Sequence, residues 1–203
     1  MDITVYQVQE DKSLKELYKA SDGACGGNQV DEAFKQMVIK ITGSKVYFNF
    51  CDENDADFVV MFREFESKKR CFSGNEKQIT IRIPYSLIGA VEEETGESIQ
   101  DVLSQSSYSG KMKWKADRLI ITSGLFATLF DVVTKNIVEY LKNVLREPEV
   151  KGTTNIFMVG GFSESCIIQD KVKEAFPGMT VIIPPEPGLS VMKGAVMFGH
   201  TNN

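Results

Sequence analysis

The stretch "NIFMVGGFSES", residues 155–165, decides the fold. A short apolar run meets the pair Gly160-Gly161, then a serine-led acidic segment that opens the apolar-periodic "CIIQDKVKEAF". That is the order strand, tight turn, helix. The continuous run predicts a strand buried on both faces, as parallel strands covered by helices are. Ser163 is the expected cap of a helix that carries Ile167, Ile168, Val172 and Phe176 and stops at Pro177-Gly178. Glycines at such a junction serve either a ligand lying against the backbone or a bare tight turn, and the local pattern fits both.

Downstream, "TVIIP" (180–184) reads as a second buried strand. Pro187 is preset for the first turn of a final helix whose Met192, Met197 and Phe198 stripe is expected in the core. Upstream, "SGLFATLFDVVTKNIVEYLKNVLRE" (123–147) reads as one long helix, apolar at Leu125, Leu129, Val132, Ile137, Leu141, Val144 and Leu145. At the usual rise it would span roughly 35 Å. The N-terminal "DITVYQVQ" alternates as a strand and "SLKELYKA" as its hairpin partner. A glycine-rich loop, 22–28, leads to a helix bearing Val30, Phe34, Met37, Val38 and Ile41, with Asn28 as its N-cap.

The middle of the chain differs in character. Residues 51–72 begin acidic, end in Lys68-Lys69-Arg70 and carry Phe58, Met61, Phe62 and Phe65 on one face. They predict a helix whose ends complement its dipole. Residues 77–84 alternate as a strand, 85–105 are partly helical, and 106–115 read as a polar loop. The expected organisation is a core of 1–44 and 121–203 with a subdomain, 45–120, inserted in it. The element order predicts an α/β fold with a mixed sheet flanked by helices. Ligands of such sheets sit beyond the carboxyl ends of the strands. The loops at 22–28 and 160–163 both join a strand to a helix.

Composition narrows function by exclusion. The 203 residues are 42% hydrophobic and 25% charged, an ordinary soluble globular profile. The net charge of −5 argues against a general nucleic-acid or anionic-membrane binder. No apolar run approaches the ~20 residues of a membrane span, and the N-terminal strand pattern is not a signal peptide. Cys25, Cys51, Cys71 and Cys166 form no CxxC pair, so reduced thiols in a cytoplasmic protein are expected, without a zinc site or disulfide framework. A single histidine, His200, leaves serine–histidine and multi-histidine metal mechanisms without their residues.

Two charged clusters stand out. Lys68-Lys69-Arg70 suits a solvated helix end, with Glu66 and Arg70 able to pair at i and i+4. The same set suits a sugar hydroxyl and a stacked base, because a guanidinium plane stacks on π-systems. "KMKWK" (111–115) sets Trp114 among lysines and is a candidate protein-partner surface.

"IFMVGGFSES" and "VIIPPEPGLSVMKGAVMFG", with "DITVYQV", "KELYKASDGACGGNQVDEAF" and "FESKKRCFS" before them, resemble one template over nearly the whole chain. It is the nucleotide-binding domain of the atypical type-twelve branch of the 70 kDa heat-shock protein family, within the actin-like ATPase superfamily. The resemblance implies the second lobe of that domain, a ribonuclease-H-like core with an inserted α+β subdomain. It implies that Gly160 and Gly161, with Phe162 and Ser163, border the adenosine. Glu66, Lys69, Arg70 and Ser73 would reach ribose and base, Arg70 stacking on one adenine face. Gly26 and Gly27 would lie near ribose and phosphates, and Asp2 near the water shell of a magnesium ion. The implied cofactor is ATP or ADP with magnesium. The implied partners are a first ATPase lobe and a protein client or partner, in a chaperone of the stress response. No catalytic or metal-binding residue is assigned.

Two positions depart from the mainstream chaperones. Where an arginine stacks on the second adenine face, this chain has Glu164, like the type-twelve branch, and Gly188 replaces the acidic residue at the start of the last helix. A carboxylate cannot stack in that way, so the base pocket is weaker or is completed otherwise, by Phe162 for example. The Gly-Gly-Gly-Thr phosphate loop would precede Asp2, and the first lobe, which helps position the attacking water, has no counterpart here. The chain is expected to bind the adenosine side of the nucleotide without hydrolysing it alone, as a truncated half of an ATPase domain. The other expectation is a nucleotide-independent protein-interaction module on a degenerate actin-like fold, using the surface around Trp114.

Overall fold

Alternation at Ile3 and Val5 produces strand β1 (Asp2–Val8), paired antiparallel with β2 (Leu14–Ser21). The computed structural model describes residues 1–21 and 25–201, so the expected loop at 22–28 lies partly outside the described residues. The chain divides into two compact units, Met1–Gln29 with Asp131–Asn203, and Val30–Phe130.

In the first unit, Val5 packs with Val144 and Val150, and Ile3, Tyr18, Ala20 and Tyr140 close around them. Val144 ends helix α7 (Asp131–Val144), which also buries Val133 and Ile137. Strands β6 (Asn155–Phe157) and β7 (Thr180–Ile182) pair in parallel, as a strand–helix–strand unit requires, and helix α8 (Cys166–Ala175) connects them. Helix α8 buries Ile168 and Val172, and helix α9 (Ser190–Thr201) follows.

The second unit opens with most of helix α1 (Asn28–Thr42), whose Val30, Phe34, Met37, Val38 and Ile41 are all buried. Helices α2 (Ser44–Glu53) and α3 (Asp55–Cys71) come next. Strand β3 (Gln78–Arg82), helices α4 (Tyr85–Thr95) and α5 (Ile99–Gln105), and strands β4 (Met112–Lys115) and β5 (Arg118–Thr122) complete it, with helix α6 (Ser123–Ala127) at its end. Phe34 stacks on Phe65 with centroids 4.0 Å apart and planes 3° apart, and Phe126 meets Phe65, Phe72 and Phe130. This aromatic column ties α1 and α3 to the end of α6.

Several expectations need correction. Among the described residues the strands form three small sheets, β1-β2, β3-β5-β4 and β6-β7, rather than one mixed sheet. Strand β6 ends early because Gly160 turns the chain at φ 93, and its neighbours are not covered: Phe157 is 67% exposed and Val159 47%. The strand of residues 180–184 is only half-buried over β7. The helix expected over 123–147 breaks into α6, a 3-10 turn at Thr128–Phe130 and α7. The 3-10 turn buries both Leu129 and Phe130.

The acidic block 51–72 straddles a break at Asn54 (φ −132, ψ 49), where the Asp55 carboxylate takes the Ala56 N–H at 2.7 Å. Short polar side chains that bond nearby backbone compete with helix in this way. The expected loop at 106–115 ends in β4, whose alternation of buried Met112 and Trp114 with exposed lysines had been masked by charge. The Met192, Met197 and Phe198 stripe is not core: these side chains are exposed on α9. Pro187 precedes α9 by three residues rather than opening it. No helix among the described residues is long and apolar enough to cross a membrane.

Candidate functional site

The last turn of α3 gathers Glu66, Lys69 and Arg70, as the sequence spacing requires. The arrangement differs from a solvated helix end, because Lys69 is buried, with 7% of its side chain exposed. Its ammonium lies 2.6 Å from Asp31 of α1 and 2.5 Å from Glu66, and 6.0 Å from the centre of the Phe65 ring. Arg70 stays exposed and donates through Nε to Glu66 at 2.7 Å. Burial pushes the Glu66 carboxyl up, but the hydrogen bonds and charges of Lys69 and Arg70 outweigh it and hold the group below the usual carboxylate range. Just past the helix, the Ser73 hydroxyl donates to Glu76 at 3.0 Å. Glu66 anchors the cluster, pairing with both basic side chains, and the Arg70 side chain is 68% exposed.

Asp31 is the acidic residue in the first turn of α1. Its role as the partner of Lys69 crosses 38 positions of sequence, so no local pattern carries it.

The other candidate set lies in the first unit. The Gly160 N–H donates to the Pro187 carbonyl at 2.7 Å, clamping the turn after β6 to the segment before α9. Gly160 has a left-handed backbone, and a Cβ built on Gly160 or on Gly161 would meet nothing within 4 Å. The backbone therefore faces open space, as a close-lying ligand would need. Gly161–Glu164 form a 3-10 turn holding Phe162 and Ser163. Ser163 is not the cap of α8: its hydroxyl donates back to the Val159 carbonyl at 2.8 Å, and Ser165 takes the N-cap position, with a buried hydroxyl that finds no partner. The extra turn displaces the helix start by two residues.

Glu164 and Gly188 prove to be neighbours. A Cβ at Gly188 would lie 2.8 Å from the Glu164 carboxylate and 3.5 Å from the Gly161 Cα. A side chain at 188 would have to displace that carboxylate, so the two departures from the mainstream pattern occupy one space.

Gly26 accepts the Gln29 N–H at 3.1 Å and, with Gly27, leads into α1. Asp2 accepts the Ser21 hydroxyl at 2.6 Å. Trp114 is not a surface anchor: it is 8% exposed, and its indole N–H donates to the Ala116 carbonyl. Among the described residues no three His, Cys, Asp or Glu side chains converge as a metal site.

Heat shock 70 kDa protein 12B of Homo sapiens is 33% identical over 205 residues, which take in 98% of this chain and 30% of that protein. Heat shock 70 kDa protein 12A is 32% identical over 203 residues in both Homo sapiens and Mus musculus, with the same coverage. The chain is a partial homologue of the heat shock 70 kDa protein 12 group. It spans about 30% of the length of the curated relatives it matches, and the match to them leaves almost none of the chain outside it. No family model matches it. The mixed α/β architecture with small sheets is consistent with a lobe of an actin-like ATPase.

Proposed function

We propose that this chain is the second lobe of a 70 kDa heat-shock-type ATPase domain, on a ribonuclease-H-like core with an inserted subdomain at 45–120, and that it binds the adenosine side of ATP or ADP. The observation that carries this reading is the end-to-end relation to heat shock 70 kDa proteins 12A and 12B. Two local geometries support it: an exposed guanidinium beside a ribose-suited carboxylate at the end of α3, and an open glycine backbone at 160–161. In this reading Glu66, Lys69, Arg70 and Ser73 serve ribose and base, Gly160 to Ser163 border the adenosine, and Gly26 and Gly27 lie toward the phosphates. Magnesium would arrive with the phosphates and offset their charge. The chain alone does not hydrolyse, since phosphoryl transfer needs groups positioned on both sides of the phosphates.

Calorimetric titration with ADP and ATP, with and without magnesium, tests it. Binding by the parent chain and its loss in Arg70→Ala and in Gly161→Val is the expected result. Stacking and a backbone approach together make a loss of at least about tenfold reasonable for each. Equal affinity in parent and variants overturns the residue assignment, and turnover by the pure chain overturns the claim of inactivity.

A second reading, a nucleotide-independent interaction module on a degenerate actin-like fold, draws on one observation. The Lys69 charge is already answered by Asp31 and Glu66 without any ligand. Under that reading the titration is silent, also when the chain is joined to a first lobe.

A further inference from the structure

The three-stranded sheet β3-β5-β4 buries one face and shows the other to solvent. Its buried rows are Ile81, Leu119 and Trp114, then Ile79, Ile121 and Met112. Its outer face carries a row of a different kind. Arg82 of β3 lies opposite Arg118 of β5, which lies opposite Lys115 of β4, so three cations stand in register across three strands. The next row holds Thr80, Ile120 and Lys113, and Lys111 stands just before β4. Among the described residues only Arg82 of this group has a carboxylate partner, Asp117 at 2.8 Å. Lys111, Lys113, Lys115 and Arg118 are exposed and make no ion pair among the described residues.

Like charges placed directly opposite one another destabilise a sheet. Lysines on an edge strand have an ordinary purpose, to discourage edge-to-edge pairing. That accounts for Lys113 and Lys115 on β4. It does not account for Arg118, which occupies the central strand between two other cations. A chain with net charge −5 has concentrated positive charge on one sheet face and kept it there against repulsion.

From this we infer that the outer face of β3-β5-β4 docks an acidic protein segment, lying extended along the edge of β4. Charge complementarity selects an anionic partner. The spacing selects an extended peptide: Lys111, Lys113 and Lys115 recur with period two, the side-chain period of a strand, along the edge strand of the sheet. Single-stranded nucleic acid would look for aromatic stacking platforms, and the aromatic of this hairpin, Trp114, is buried on the opposite face. The proposal does not depend on nucleotide binding, because no residue of the candidate nucleotide set lies on this face.

The test uses the whole chain and a fluorescein-labelled peptide of alternating Glu and Thr, about a dozen residues long, followed by fluorescence anisotropy. Binding should weaken as salt rises toward about 0.5 M, where exposed charges are screened. The double variant Lys115→Gln/Arg118→Gln should lose at least about tenfold in affinity, while Lys19→Gln/Lys142→Gln, in the other unit, should bind like the parent. Thermal unfolding of the first double variant should show a midpoint equal to or above the parent's, since facing like charges have been removed. Undiminished binding in that variant overturns the proposal, as does silence from the parent. Tighter binding of single-stranded DNA or of anionic vesicles than of the peptide overturns the choice of partner. A lowered midpoint would assign the row to packing and overturn it as well.

Discussion

Lys69→Met is expected to lower stability by about 2 to 3 kcal/mol, at or just below the low end of what removing one member of a buried ion pair costs. The ammonium is buried, but Asp31 and Glu66 retain about a third of their exposure, at 32% and 38%, so water screens part of the loss. What remains is two carboxylates facing a vacated site, with only Arg70 still answering Glu66. The polar tie between α1 and α3 is lost as well, and the Phe34–Phe65 stack remains. Urea unfolding at neutral pH measures the effect, with an unchanged slope showing that the compactness of the states is not altered. Asp31→Asn combined with Lys69→Met should recover part of the loss, because it removes an unpaired charge rather than adding a contact. A loss under about 0.5 kcal/mol, the scale of a surface pair, would mean that the ammonium is solvated.

The same variant predicts a pH signature. Glu66 is held below the usual carboxylate range by its two basic neighbours against the opposing effect of burial. A depressed carboxyl contributes stability that is complete above its unfolded value and disappears as acid takes the pH through its folded value. Without Lys69 that folded value rises toward the unfolded one, so the stability gap between parent and variant should narrow as acid protonates Glu66.

Phe34→Ala should cost about 4 kcal/mol, the largest single-side-chain effect expected in the chain. Phe34 and Phe65 are both fully buried and stack in parallel at 4.0 Å, and Phe62 meets Phe34 edge-on at 5.8 Å. Truncation removes buried area, opens a cavity and ends a stacking contact that adds about 0.5 to 1.5 kcal/mol of its own. Phe34→Leu keeps most of the volume and should cost only about 1.5 kcal/mol or less beyond the stack. Denaturant midpoints for the two variants separate volume from stacking. Equal losses would show that the volume leucine retains recovers nothing, so that the ring geometry carries the effect.

The parts legible in advance were those in which a single element carries its own pattern. Ile3 and Val5 mark β1, the acids before and bases after residues 58–65 mark α3, and Ile79 and Ile81 mark β3. What failed depended on a partner elsewhere. Strand β4 hid because its exposed residues are lysines. Met192, Met197 and Phe198 form a helical stripe whatever covers it, and hydrophobic spacing does not say that a cover is present. The breaks at Asn54 and at residues 128–130 follow from local hydroxyl and carboxylate bonding and from an aromatic cluster assembled from distant segments. At the candidate site, spacing put Glu66 beside Arg70. It could not foresee Asp31 against Lys69, Ser165 in place of Ser163, or Glu164 lying over Gly188.

The division of the chain into one continuous unit and one made from its two flanks has a kinetic side. The aromatic column of Val30–Phe130 is built from that continuous stretch alone, whereas Val5 must wait for Val144 and Val150 to come round from beyond it. A flexible stretch of that length resists closure, and a stretch already collapsed resists it less. The contiguous unit is thus the natural first arrival, and the hairpin β1-β2 joins late. In pulse-labelled exchange during refolding, the amides of α1 and α3 should gain protection before those that pair β1 with β2, so the ends of the chain are the last part of it to commit.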